Sequence, residues 1–251
     1  MAWTPGTLGI IGSGMIGSAL ARLAVAAGLD VVVANSRGPE TLADLVAELG
    51  VRARAATAAE AARAGDVVVA AVPLKAYDRP PSEALAGKTV IDTMNYHPDR
   101  DGSITELDAG AQTSGALVQR QLVGARVVKA FNNIDFRRLF TGARPAGDPD
   151  RSALPVAGDD VAAKARVTAL LDALGHDAVD IGTLAASWRS RPGTPVYVEP
   201  YLGKRPTGLS QEEASRWSFE TPGVPTPGGP GEGTGRPGDP REVTDTATSA
   251  Y

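Results

Sequence analysis

Three glycines near the amino terminus, Gly12, Gly14 and Gly17, have the spacing G-x-G-x-x-G, which serves phosphate binding. In such a loop Gly12 permits a tight turn from strand to helix. Gly14 lets the backbone approach a pyrophosphate with no Cβ in the way, and Gly17 lets the helix pack closely on the strand. A helix N-terminus then offers its free N–H groups and partial positive charge to the phosphates. The apolar run before the loop and the Ala/Leu-rich run after it supply the strand and helix that this fingerprint requires. The next apolar run, residues 31–34, ends in Asn35-Ser36-Arg37 and not in an acidic residue. Sites for NAD place Asp or Glu there, against the ribose 2′-OH. Here Ser36 offers a hydroxyl donor, and Arg37 offers a charged fork for a phosphate and a plane to stack on adenine. The cofactor expected on Gly12, Gly14, Gly17, Asn35, Ser36 and Arg37 is therefore NADP(H). The competing reading of Arg37 is a solvated loop residue.

Ligands of open α/β sheets bind outside the carboxyl ends of the strands, so the residues after each expected strand are the remaining candidates. These are Val72-Pro73, Met94-Asn95, and Ala130 followed by Asn132-Asn133. Small, apolar and amide-bearing groups suit walls around a nicotinamide ring and a flat partner, and they do not suit a metal. Asn95, Asn132 and Asn133 are equally readable as turn residues bonded to nearby backbone. No strong acid or base stands out. His97 reads as a surface residue in a loop, and His176 lies between a helix stop and a strand, remote from the expected active end. Lys129 ends a strand but sits within an apolar run. This fits hydride transfer between two redox cofactors, which needs positioning more than proton chemistry.

The elements that must hold these residues alternate along the chain. Apolar β-branched runs at 8–11, 31–34, 51–55, 67–72, 89–92, 126–131, 153–157 and 178–181 read as strands. Segments of helical period at 15–27, 39–49, 58–63, 115–122 and 161–174 lie between them, with Thr113-Ser114 and Asp159-Asp160 as N-terminal signals. Residues 184–188 read as a short helix and 194–201 as extended. The expected fold class is α/β, a Rossmann-type doubly wound and mostly parallel sheet. Residues 1–183 form the expected NADP-binding domain, and residues 184–220 an extension that completes the second-substrate site. The Pro/Gly-rich tail, 221–251, holds too little apolar surface to offset ordering entropy and is expected to be disordered, unless it packs on a partner subunit.

Composition narrows the classes further. The chain of 251 residues has no cysteine, which excludes disulfides and thiolate catalysis, and two histidines, which argue against a His-rich metal centre. A formal net charge of -4 gives no electrostatic case for nucleic acid or an anionic membrane. With no apolar run long enough for a membrane span and no leader pattern, a cytoplasmic protein is expected. The abundance of Arg, Ala and Gly hints at a bacterial source.

Residues 10–17, Asn35-Ser36-Arg37, Ala71-Val72-Pro73, Val90-Ile91-Asp92, Thr113-Ser114 and the run from Arg126 to Asn132 together resemble the NADPH-dependent coenzyme F420 reductases, or F420H2:NADP oxidoreductases. The resemblance spans about residues 7–200. It implies a compact Rossmann protein, often a homodimer, with coenzyme F420 as a deazaflavin co-substrate stacked on the nicotinamide. It also implies that Ser13, Met15 and Ile16 join Ser36 and Arg37 in binding NADP. Thr194 matches a family threonine near the deazaflavin, and Asn132 falls where archaeal members carry His. Asn132 and Thr194 are thus positioning candidates, with no catalytic acid or base assigned. Pro192 replaces a family Ser, and Thr41 stands near the place of a second family cation. Two other functions remain open: NADPH-dependent reduction of a small carbonyl or imine, and non-catalytic redox sensing through bound NADP(H).

Overall fold

The β-branched runs form the middle of a sheet because their side chains are apolar toward both faces. The structure, a computed structural model, describes residues 6–201. The tail at 221–251 and the last part of the expected extension lie outside the described residues. The strands are β1 (Thr7–Ile11), β2 (Asp30–Ala34), β3 (Ala53–Ala55), β4 (Val67–Ala70), β5 (Thr89–Asp92), β6 (Arg126–Lys129), β7 (Ala153–Gly158) and β8 (Asp177–Gly182). They make one eight-stranded sheet in the order β3-β2-β1-β4-β5-β6-β7-β8. Every neighbouring pair is parallel except β6 with β7. The connection changes direction between β1 and β4, the switch point at which a crevice opens above the strand ends.

The helices are α1 (Met15–Ala26), α2 (Ala43–Leu49), α3 (Ala58–Ala64), α4 (Ser82–Leu85), α5 (Pro98–Asp101), α6 (Thr105–Asp108), α7 (Ser114–Gln121), α8 (Arg138–Thr141) and α9 (Val161–Ala173). Alternation along the strands sorts the core into two layers. Ile10, Val69, Ile91 and Val128 pack with α1, α8 and α9, whereas Ile11, Val68, Val90 and Val127 pack with α4 and α7. Local signals start several helices. Thr57 and Glu60 form a reciprocal capping box on α3. The Thr113 hydroxyl accepts from Ala116 N at 3.2 Å on α7, and Asp160 accepts from Ala163 N at 2.7 Å on α9.

The structure departs from the sequence reading at element ends. The helix expected at 39–49 opens with a 3-10 turn, Pro39–Leu42, and the strand expected at 51–55 begins only at Ala53, after a 3-10 turn. The apolar runs at 67–72 and 126–131 outlast their strands, because the chain leaves the sheet after Ala70 and Lys129. Phe131, fully buried, turns the backbone with φ 59°. Residues 184–188 belong to a 3-10 helix, Leu184–Ser190. Residues 194–201 are not extended: they fold into turns ending in a 3-10 helix, Glu199–Tyr201, with Val198 at φ 61°. Periodicity misses that shape because it comes from bonds to Asn133, more than 60 positions away.

His176 is fully buried, and its Nε2–H donates to the Leu139 carbonyl at 3.1 Å. Burial holds its imidazole below the usual range, against the opposing effect of that hydrogen bond. The folded chain therefore keeps His176 neutral where an unfolded histidine, with a pKa of about 6.5, already takes up a proton. This contribution to stability is fully present above that pH and is lost as pH falls toward the depressed folded value. In urea titrations between about pH 7.5 and 5.5 the midpoint should drop with acidification, and His176→Gln should flatten the drop. A parallel decline in parent and variant would remove His176 as the cause.

Candidate functional site

The glycine loop joins β1 to α1. Gly12 has φ 111°, and a Cβ there would overlap the Ala71 carbonyl at the end of β4. A Cβ at Gly17 would overlap the carbonyl oxygen of Gly12, so helix and turn close on each other only without side chains. Gly14 differs: no atom lies within 4 Å of a Cβ placed on it. It faces open space, as a backbone that must touch a ligand requires. Gly14 is also the N-cap of α1, and that helix has no side-chain cap and no acidic residue in its first turn. The α1 amides therefore keep both their donors and their share of the helix dipole for an anion. Ser13 lies half-buried beside this end, its carbonyl accepting from the Ser18 hydroxyl at 2.9 Å. Met15 is exposed, and Ile16 packs on the core.

Asn35 ties the second loop. Its Oδ1 accepts from Arg37 N at 2.9 Å and Gly38 N at 3.1 Å, and its Nδ2 donates to the hydroxyls of Thr41 at 2.9 Å and Ser13 at 3.3 Å. The turn after β2 is thereby coupled to the glycine loop through one carboxamide. Ser36 and Arg37 stand exposed at its tip, and Arg37 makes no ion pair among the described residues. A carboxylate that the strand-end pattern did not reveal, Glu40, lies against Gly38 in the following 3-10 turn.

The ends of β4, β5 and β6 form the remaining wall. Val72 is half-buried and Pro73 exposed. Met94 and Ala130 are buried, so both support this wall from beneath. Asn95 and Asn132 face each other: Asn95 Nδ2 donates to the Asn132 carbonyl at 2.6 Å, and Asn132 Nδ2 to Asn95 Oδ1 at 3.2 Å. Asn132 Nδ2 also donates to the Ser190 carbonyl at 2.8 Å. The next residue, Asn133, donates to the carbonyl of Val196 at 2.9 Å and to the Tyr201 hydroxyl at 2.8 Å, and its own carbonyl accepts from Val198 N at 2.8 Å. The two asparagines hold the segment 190–201 over the end of β6. Thr194 sits on that segment half-buried, its hydroxyl donating to the Arg191 carbonyl at 2.7 Å. His97, half-buried, is the N-cap of α5, and His176 is buried in the core.

Lys129 is the feature whose setting the sequence concealed. Its side chain is 2% exposed, and its ammonium donates to Asp92 Oδ2 at 2.9 Å, to Ser114 Oγ at 3.2 Å and to the Met94 carbonyl. Asp92 in turn accepts from Met94 N at 2.8 Å. Three N–H groups meet three acceptors, so Lys129 joins β5, β6 and α7 and is not a free acid. Above it, between α6, α7 and the 3-10 helix Leu184–Ser190, lies a cavity of about 810 Å3. Tyr96, Gln112, Ser114, Trp188 and Arg191 line it with Lys129. Among the described residues no group of His, Cys, Asp and Glu could hold a metal ion, and no helix is long and apolar enough to cross a membrane.

The model of the family described as NADP oxidoreductase, coenzyme F420-dependent, matches residues 7–96, which include the glycine loop and the Asn35 turn. The crystal structure of a hypothetical protein of Sinorhizobium meliloti, SMa0349, is 32% identical with a TM-score of 0.66, over 77% of this chain and 93% of that one. A candidate F420-dependent NADP-reductase of Arthrobacter sp. FB24 is 26% identical with a TM-score of 0.62, over 74% of this chain and 88% of that one. Metalloreductase STEAP3 of Rattus norvegicus is 33% identical over 182 residues, 72% of this chain. The chain matches only 34% of that curated relative's length.

The Lys129–Asp92 pair yields a prediction. Asp92→Asn leaves the ammonium buried without its counter-charge and should cost about 3–5 kcal/mol of stability. The double variant Asp92→Leu/Lys129→Met should recover much of that loss, both read from denaturant midpoints. A neutral Asp92→Asn would show that the two side chains are not energetically coupled.

Proposed function

The chain belongs to the family of coenzyme F420-dependent NADP oxidoreductases, and on that premise we propose that it transfers a hydride between NADP(H) and the deazaflavin coenzyme F420. The observation that carries the NADP half is the pairing of an uncapped α1 N-terminus with a β2 end that presents Ser36 and Arg37. When bound, the nicotinamide supplies the hydride chemistry. The chain's own residues supply the rest. The α1 amides take the pyrophosphate across the open side of Gly14. Ser36 and Arg37 take the 2′-phosphate, and Asn35 holds their backbone in place. Val72, Pro73 and the Asn95–Asn132 pair flank the ring, over the layer of Met94 and Ala130.

The deazaflavin half is supported by the family's description as F420-dependent and by the same description of the Arthrobacter relative. The chemistry of the site agrees with it. Lys129, the one lysine at a strand end among the described residues, has its protons engaged, so positioning is what these residues offer a hydride transfer. Asn132, in the turn after β6, and Thr194, on the segment that covers the end of β6, act here as positioning residues.

Mixing the protein at catalytic concentration with NADPH and coenzyme F420 should bleach the deazaflavin absorbance. Tight NADPH binding without bleaching would refute the deazaflavin half and leave the NADP half standing. Arg37→Ala should weaken NADPH binding by about 1.5–3 kcal/mol, the range for hydrogen bonds to charged groups, with little change for NADH. Equal NADPH affinity in parent and variant would remove Arg37 from the phosphate site.

A further inference from the structure

We propose that the cavity between α6, α7 and the 3-10 helix Leu184–Ser190 is a subsite for the anionic part of the second substrate, with Arg191 as charge partner and Gln112 and Ser114 as neutral donors. The proposal rests on the hydride-transfer reading above and adds how the second substrate is held. Position is the first argument. Tyr96 on the cavity wall directly follows Asn95, and Lys129 on its floor ends β6. The 3-10 helix that carries Trp188 ends at Ser190, whose carbonyl accepts from Asn132. Through Tyr96, Lys129 and the Ser190 carbonyl the cavity adjoins the strand-end wall assigned above to the nicotinamide.

Hydrogen-bonding balance is the second argument. The Nε2 of Gln112 is buried and has no acceptor. Ser114 Oγ accepts a hydrogen bond from Lys129, which leaves its own O–H to donate. Arg191 stands exposed at the rim and makes no ion pair among the described residues. The carboxylates on and beneath this wall are already engaged. Asp108 takes the hydroxyls of Tyr96 and Ser103, both at 2.5 Å, and these bonds hold its carboxyl below the usual range. Asp92 takes Lys129. Donors thus remain while the nearby carboxylates are engaged, and a buried donor left unpaired is costly. A ligand rich in acceptor oxygens and negatively charged supplies what the wall lacks: a phosphate or a carboxylate. Trp188, 49% exposed, gives that ligand an apolar plane to lie against.

The test compares two deazaflavins in the full chain with NADPH: coenzyme F420, whose ring carries a phosphate- and carboxylate-bearing chain, and the same ring on an uncharged alcohol chain. Arg191→Ala should raise KM for the charged form about tenfold, the loss of one charge-assisted contact, and leave KM for the uncharged form and the Kd of NADPH unchanged. Gln112→Leu should act in the same direction more weakly, and Arg191→Lys should restore part of the loss. An equal rise for both deazaflavins, or no rise, overturns the subsite. If the parent reduces neither, the hydride-transfer reading fails, and the subsite is judged by binding of the two compounds, followed by tryptophan fluorescence with Trp188→Phe as control. Saturable quenching that favours the charged compound and weakens in Arg191→Ala retains the subsite. Absent or equal quenching overturns it.

Discussion

An ammonium group removed from water is tolerated only where acceptors converge on it, and at the end of β6 three do. Lys129 meets Asp92 from β5, the Met94 carbonyl from the turn after β5, and Ser114 from the first residue of α7. None of these can shift without leaving a buried N–H of the ammonium unpaired, and loss of Asp92 would leave its charge uncompensated. The turn that presents Asn95, the start of α7 and the floor of the cavity are therefore placed by one constraint. Lys129 acts beneath the site as the anchor from which its geometry is measured.

The amino-terminal half solves the opposite problem, since its donors must stay unsatisfied until a ligand arrives. α3, α7 and α9 spend their first-turn amides on Thr57, Thr113 and Asp160, while α1 begins at Gly14 with nothing on its N-terminus. The exposed setting makes this inexpensive, because water can serve the amides in the free protein. Asn35 spans the two anion-facing loops through the hydroxyls of Ser13 and Thr41. Glycine loop and β2 turn are thus held as one surface.

Between these halves, the backbone is strained where the chain leaves β6. Phe131 and Val198 both adopt positive φ, at 59° and 61°, a conformation costly for residues with a Cβ and especially for a β-branched one. The compensation is visible around them. Phe131 is fully buried in the core, and Val198 is held by the Asn133 carbonyl while Asn133 also binds the Val196 carbonyl and the Tyr201 hydroxyl. Strain and the asparagine clamp together fold the segment 190–201 over the strand ends instead of letting it extend.

Local rules made most of the architecture legible. Continuous β-branched runs such as Val67–Ala70 could only be strands buried on both faces, and the G-x-G-x-x-G between a strand and a helix announced both the parallel sheet and its phosphate site. The Asn35-Ser36-Arg37 ending was readable as the basis of the proposed preference for NADP, because its chemistry acts within a few residues. The cavity, the setting of Lys129 and the fold of residues 194–201 were not legible, since each depends on groups far apart in the chain: Asp92 with Lys129, Ser114 with both, Asn133 with Val196. An apolar run around a lysine reads the same whether that lysine snorkels to water or is buried among acceptors. Sequence by itself determined most of the elements and the glycine-loop fingerprint, because periodicity and turn chemistry are local. Only tertiary structure decided what stands at the second-substrate end, because burial and charge pairing exist only once β5, β6 and α7 have met.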